Sequence, residues 1–343
     1  MSTNIPKIVF IVPYRNRKTH KLFFSKYMTS LLDINSAKEE YEIYFSHQSD
    51  KRPFNRGAVK NIGFLAIKQK YPTEYQNITF VFNDIDTVPF SNIFDYSTVK
   101  GTIKHFYGFK YALGGIVSIK GSDFELINGY PNFWGWGMED AILQRRCDEN
   151  NLYIDRNVFY PIGSPEILHL FDGVSRIINK NETINSKKDN KLDGLKTIYK
   201  LSYTVDNKST NKEDNLHIIE HPKIKIINII SFDCFNKYET EVFHEYDLRE
   251  PSKKILQSTR TINPTSFAVN NWTKIPYYPT NEVKTKMINK YGKHKTEEII
   301  QNNLKGEKTL QNINKYSPHY AVVNNIKPKA FGSVNIGLGG VMK

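Results

Sequence analysis

Only two cysteines occur in the 343 residues, Cys147 and Cys234, far apart in the chain. That excludes a disulfide framework and any cysteine-based zinc cluster, and leaves two thiols expected to be reduced. No apolar run approaches the roughly 20 residues that a membrane-spanning helix needs. The opening stretch, MSTNIPKIVFIVPYRNR, has no charged leader, no long apolar segment and no small-residue cleavage site. The expectation is a soluble protein without a transmembrane segment or signal peptide, in the cytoplasm (of a host, or in a virion, if viral). Sequons at Asn77, Asn181 and Asn271 are then expected to stay unmodified. Internal repeats are absent. So is any basic stripe with interleaved aromatics. A net charge of +13 suits nucleic acid, anionic lipid or a nucleotide. Lysine is spread along the whole chain, however, and nucleic-acid binding is not the reading.

What is present is a globular composition, 39% hydrophobic and 13% aromatic, enough for one large domain or two smaller ones. Lys7–Val12, Tyr41–Phe45 and Ile78–Phe82 read as buried strands. Between them, Lys18–Leu32 carries a helical apolar face, and Asn55 caps a helix reaching about Gln69. Strand–helix–strand–helix–strand predicts an α/β fold on a parallel sheet, with ligands at the carboxyl ends of the strands. Tyr111–Ile119 reads as a strand broken at Gly114-Gly115. Ser122 or Asp123 is expected to cap a short helix, and Glu139–Asn150 reads as another. Residues 171–191 read as a long polar loop, Lys223–Ile230 as a strand, and Glu282–Leu304 as a basic helix. The texture changes near 232, which divides a domain at 1–232 from a C-terminal extension of unknown role at 233–343.

Three segments carry chemistry-bearing residues at strand ends. In FNDIDTVP, Asp84 and Asp86 lie two apart, so in extended geometry both carboxylates point one way and suit Mg²⁺ or Mn²⁺ with a phosphate. A bare Asp-X-Asp also marks a polar strand-end turn. VPYRNR offers Arg15 and Arg17, whose forks suit phosphate, though surface arginine is the plain alternative. RPFNRGAVKNIGF offers Phe54 and Arg56 beside the Asn55 cap. In GYPNFWGWGMEDAILQRRC, two tryptophans sit among glycines directly before Glu139 and Asp140.

Taken in order from about Lys7 to Ile230, these segments resemble the β-1,4-galactosyltransferase family (glycosyltransferase family 7). PYRNR is similar to its Pro-Phe-Arg-Asn-Arg, FNRGAVKNIGF to its Phe-Asn-Arg segment, and FNDIDTVP to its Asp-Val-Asp element. The Gly-Gly pair, the specific string Trp-Gly-Trp-Gly-X-Glu-Asp, a downstream histidine and DGLKTIYKLSY complete the series. The resemblance implies a GT-A fold (Rossmann-like, nucleotide-sugar-binding, with a mixed and mostly parallel sheet), a UDP-sugar donor and a Mn²⁺ requirement, Mg²⁺ being the other candidate. It places Pro13, Arg15, Arg17, Phe54, Arg56 and Asp84 on UDP, and Asp86 and His169 on the metal. Gly135 and Gly137 would let Trp136 swing over donor and acceptor. Asp140 would be the catalytic base, with Glu139 holding the acceptor or the loop. Both carboxylates begin a helix, where the macrodipole favours ionisation. They project about 100° apart around it.

The chain departs from the family in three places. Where the family has Met or His as a third metal ligand, this chain has Glu166, an oxygen donor, and Phe171, which cannot bind metal. Ala141 replaces an Asp that helps hold the acceptor, so the acceptor need not be GlcNAc. Ala112 stands where galactose-specific members carry an aromatic, which opens the donor choice to N-acetylhexosamines. The sequence therefore supports an inverting hexosyltransferase acting on a glycan or glycoconjugate. The rival reading is a non-catalytic sugar-binding or virion-structural protein that keeps the fold.

Overall fold

The computed structural model describes residues 5–35, 40–170, 175–207, 221–247 and 281–304. These include β1 (Ile8–Tyr14), α1 (Lys18–Asn35), β2 (Tyr41–Gln48), α2 (Arg56–Lys70), β3 (Thr79–Asn83), β4 (Thr87–Pro89), β5 (Thr102–Gly108) and β6 (Ile116–Lys120). There follow α3 (Gly121–Leu126), α4 (Glu139–Glu149), β7 (Tyr153–Asp155), β8 (Tyr160–Pro161), β9 (Ile167–His169), β10 (Ser175–Asn179) and α5 (Glu182–Lys187). The last are β11 (Tyr199–Asp206), β12 (Ile224–Asp233), β13 (Phe243–Asp247), α6 (Asn281–Tyr291) and α7 (Lys293–Leu304). Two compact units emerge. One takes in Met1–Asp172 and Ile177–Phe243, the other Gly173–Arg176 and His244–Lys343.

The first unit is built on a sheet ordered β11-β12-β2-β1-β3-β6-β5-β7, with β8 beside β5. β1 pairs in parallel with both β2 and β3, and β12 in parallel with β2. β6 runs antiparallel to β3 and β5. Strand alternation sorts the β1 side chains. Val9 and Ile11 join Ile62, Phe64, Phe80, Phe82 and Phe124 in one core. Ile8, Phe10 and Val12 join Phe24, Met28, Phe45 and Val81 in the other. With both faces covered, β1 reads as a continuous apolar run.

The α2 start is fastened from several sides. Asn55 Oδ1 accepts from the Ala58 amide at 2.9 Å, and Asn55 Nδ2 donates to the Asn132 carbonyl at 3.0 Å. One turn on, Asn61 Nδ2 donates to Tyr130 O at 2.7 Å, and Asn61 Oδ1 accepts from Tyr130 N at 3.0 Å. A Cβ on Gly57 would meet the carbonyl of Pro131, so glycine lets the helix lie against that segment. Arg56 is thereby fixed at the carboxyl ends of β1–β3.

Several sequence expectations need correction. The strand expected at Tyr111–Ile119 is a turn followed by β6, and the preceding strand, β5, was not foreseen. Residues 175–191 are not an open loop: they contain β10 and α5. Asp189 orders this polar segment through a buried ion pair with Arg146, whose side chain is completely buried. Asp123 does not cap α3; its Oδ2 accepts from Gly101 N at 2.7 Å, and the helix has no side-chain cap. The basic helix of the second unit is two helices, divided at Gly292, whose φ is +79°. Among the described residues no helix is long and apolar enough to cross a membrane.

Candidate active site

β3 ends at Asn83, and the chain turns at Asp84–Asp86, with Thr87 N donating to Asp84 O at 3.1 Å. The turn removes the two-residue alternation expected of Asp84 and Asp86. The carboxylates take different cations. Asp86 Oδ2 lies 3.2 Å from Arg17 Nη1, whereas Asp84 accepts from Arg56 through Nε at 3.2 Å and Nη2 at 2.7 and 2.5 Å.

Arg56 does more than hold Asp84. Its Nη1 lies 2.6 Å from Glu139 Oε1 and 2.6 Å from Asp140 Oδ2. The two acids are about 100° apart around α4, yet one guanidinium nitrogen bridges them. Lys60, four residues along α2 and so on the same face, places Nζ 3.3 Å from Asp140 Oδ1, 3.7 Å from Asp84 Oδ1 and 4.5 Å from the centre of the Tyr130 ring. Three carboxylates thus face two cations.

Burial works against the charges of Arg56, Asp84 and Glu139, and their partners decide the outcome. It opposes the Arg56 charge, but Asp140, Asp84 and Glu139 outweigh it and hold the guanidinium firmly protonated. It also opposes the Asp84 charge, which Arg56 and Lys60 restore, so that carboxyl titrates below its usual range. For Glu139 burial prevails over Arg56, and the pKa is raised. Its Oε2 is buried without a hydrogen-bond partner. At Glu139 desolvation thus opposes the helix dipole, which favours the ionised form.

The Gly114-Gly115 turn packs against this cluster. Leu113 N donates to Asp140 O and Asp84 N to Gly115 O, both at 3.0 Å. His105 Nε2 lies 3.1 Å from each of the carbonyls of Tyr107 and Gly114, and its Nδ1 accepts from Arg156 Nε at 3.0 Å. These partners assign the neutral Nε2–H tautomer. Burial and Arg156 lower its pKa to about 4.

The tryptophans divide their labour. Trp134 is buried, stacks on Phe232 at 5.4 Å, lies under the Arg52 guanidinium and donates to Asn236 O at 2.6 Å. Trp136 is half-buried, and its loop is fastened in this state: Gly135 N donates to Phe54 O at 3.0 Å and Trp136 N to Ile177 O at 2.8 Å. Positive φ at Gly135, Gly137 and Met138 carries the chain into α4.

Of the remaining expected donor-binding residues, Pro13 is buried within β1, and Arg15 donates to the Arg52 carbonyl. Half-buried Phe54 packs against the core. β4 pairs with β9 so that His169 lies opposite Thr87, and Leu170 N donates to Asp86 O at 2.7 Å. Asp86 and His169 are therefore backbone neighbours. Tyr107 OH lies 3.1 Å from His169 Nδ1, which turns Nε2 towards other partners. A carboxylate and an imidazole could supply two of the ligands of a divalent cation such as Mn²⁺. Glu166 is exposed and lies in the turn just before β9, outside the strand that carries His169. Phe171 lies outside the described residues. Among the described residues no three His, Cys, Asp or Glu side chains are placed to hold one ion. Ala112 is buried at 5% exposure, so the missing aromatic leaves no open surface there. Sequence reasoning missed Lys60. Its signal was a charge on the apolar face of α2, one turn after Arg56.

A mixed, mostly parallel sheet with acidic residues gathered at its carboxyl ends defines a GT-A fold. Residues 3–98 match the N-terminal region of glycosyl transferase group 7, and residues 97–168 match the N-terminal domain of galactosyltransferase. Through these residues the chain is similar to the group 7 glycosyltransferase family. It is 29% identical over 163 residues to mouse β-1,4-galactosyltransferase 4, covering 44% of this chain and 45% of that one. It is 30% identical over 175 residues to mouse β-1,4-galactosyltransferase 7, covering 48% and 51%. The chain thus spans about half the length of the curated relatives it matches. The catalytic domain of Drosophila β-1,4-galactosyltransferase 7, solved with xylobiose, superposes with a TM-score of 0.52 at 21% identity, over 67% of this chain and 95% of that one. A mutant of that enzyme, solved with manganese, UDP-Gal and xylobiose, gives a TM-score of 0.51.

Proposed function

We propose that the protein is a metal-dependent, inverting glycosyltransferase that moves a hexose, galactose or an N-acetylhexosamine, from a UDP-sugar to a sugar hydroxyl. The observation that carries this reading is the convergence of Asp84, Glu139 and Asp140 on Arg56, beside Asp86 and His169, at the carboxyl ends of the strands. The Drosophila mutant of comparable fold is solved in complex with manganese, UDP-Gal and xylobiose, which supports the reading.

In this reading Asp86 and His169 hold Mn²⁺ or Mg²⁺, which when bound would neutralise the diphosphate leaving group. Asp140 takes the proton of the acceptor hydroxyl as its oxygen attacks the anomeric carbon from the face opposite UDP. Glu139, buried and paired with Arg56, orients the acceptor or the loop. Trp136 covers the reactants and excludes water, which requires its two backbone tethers to Phe54 and Ile177 to yield. The transferase domain, expected at residues 1–232, is in this reading the first compact unit, which runs on past β12 to Phe243, and the remainder is the extension.

A donor-by-acceptor screen for UDP release, with and without Mn²⁺, tests the reading. Acceptor-dependent, metal-dependent release is expected. Sugar binding without release from any UDP-sugar would make the chain a non-catalytic member of the fold.

A further inference from the structure

We infer that Lys60 is a positioning residue for the Asp140 carboxylate. Lys60 is 1% exposed, on a helix whose neighbouring residues Val59, Ile62, Phe64 and Ile67 fill the apolar core. An apolar side chain at such a site would serve packing at least as well, because removing an ammonium from water is costly and a buried ion pair regains that cost only through good geometry. Here the geometry is good and local. The stem crosses the core and delivers its one polar atom between Asp140 Oδ1, at 3.3 Å, and the face of Tyr130.

Arg56 takes the other oxygen, Oδ2, at 2.6 Å. The two cations lie on consecutive turns of one helix, and that helix is itself locked through Asn55 and Asn61. The Asp140 carboxylate is therefore held at both oxygens from a rigid element, while Gly114 abuts it from the side. Lys60 is not placed to touch a reactant; it acts through Asp140. Nothing else in the described cluster donates to Oδ1.

The inference rests on reading Asp140 as the group that accepts the acceptor's proton. It is tested by steady-state UDP release in a double-mutant cycle of Lys60→Met and Asp140→Asn, with Lys60→Gln as a variant that retains a donor. Lys60→Met is expected to lower kcat about 10- to 100-fold, as a carboxylate misplaced by a fraction of its length does. The KM for donor and acceptor should stay close to wild type, and Lys60→Gln should lose less. In the Asp140→Asn background Lys60→Met should cost almost nothing further, because the two act as one unit. Losses that multiply in the double variant would overturn the inference. So would a Lys60→Met enzyme with full kcat, or failure of both Lys60 variants to fold, which would make the residue structural. A wild-type protein that releases no UDP would instead refute the glycosyltransferase reading and this inference with it.

Discussion

Replacing Gly114 by alanine should disable the proposed base without disturbing the fold. The Cα of Gly114 faces the Asp140 carboxylate so closely that an added Cβ would lie 2.9 Å from Cγ, and closer still to Oδ2. Gly114 does not have a positive φ, so the backbone itself accepts alanine. The strain falls on one movable group. Asp140 must shift by about 1 Å, and in doing so must stretch its bonds to Arg56 and Lys60. A displacement of that size at a reacting group costs on the order of 10²-fold in turnover, or about 2.7 kcal/mol in barrier. UDP release should fall by that factor, while calorimetric binding of UDP with Mn²⁺ and the thermal midpoint stay near wild type. The neighbouring glycine supplies the control. At Gly115 φ is +72°, and a Cβ would meet the Tyr107 carbonyl group, with its carbon at 2.9 Å. Neither backbone can yield cheaply, so Gly115→Ala should lower the melting temperature and lose nucleotide binding together with activity. Full turnover in Gly114→Ala would show that Asp140 is free to work from another position, and would refute the argument from its confinement.

Asp140→Asn, which keeps shape but not basicity, should cut turnover by roughly 10²–10⁴-fold with UDP and Mn²⁺ binding retained; near-full turnover would move suspicion to Glu139. Glu139→Gln keeps the side-chain shape and an oxygen that can accept from Arg56, so kcat should change little while the acceptor KM rises. Asp86→Ala should abolish the Mn²⁺ dependence of UDP binding in calorimetry, and unchanged metal-dependent affinity would remove Asp86 from the metal site. His105 is held neutral in the folded state, with its pKa lowered from 6.5 to about 4, so the unfolded chain binds a proton first. Its contribution is present above the unfolded value and is lost as pH falls through that window, by at most about 1.4 kcal/mol per pH unit. Chemical denaturation of His105→Gln across this range should show a flatter slope than wild type, and equal slopes would assign the acid sensitivity elsewhere.

The first half of the unit was legible because its signals are local. β1, β2 and β3 are apolar runs of strand length. Asn55 caps α2 as the sequence proposes, with its side chain on the Ala58 amide. The less legible parts depend on partners distant in sequence. Nothing local marks residues 182–187 as a helix; Asp189 reaches the buried Arg146 only once α4 is in place. β5 was hidden because its lysine and histidine disrupt the apolar pattern, yet His105 is buried between two carbonyls and an arginine. The same limit applies to the site. Motif order brings Arg56, Asp84, Glu139 and Asp140 to notice, but a sequence shows which groups can bind and not which have already found one another.

Arg56 shows what that difference means for the chemistry. A guanidinium has five N–H donors in a fixed plane. Here Nε and Nη2 turn to Asp84, and Nη1 spans Glu139 and Asp140. In this state every donor direction faces a carboxylate of the chain itself, which leaves none for a phosphate. A nucleotide that recruited Arg56 would have to release at least one of the three acids, most readily Asp140 or Glu139, each bound to Arg56 through Nη1 alone. Donor binding and the freeing of the base would then be one event, and the cation that tethers Asp140 in this structure would be the one that reports the donor's arrival to it. Lys60, on the following turn, would keep Asp140 in place through that exchange. If Arg56 turned to a phosphate, Lys60 would remain as the cation on Asp140.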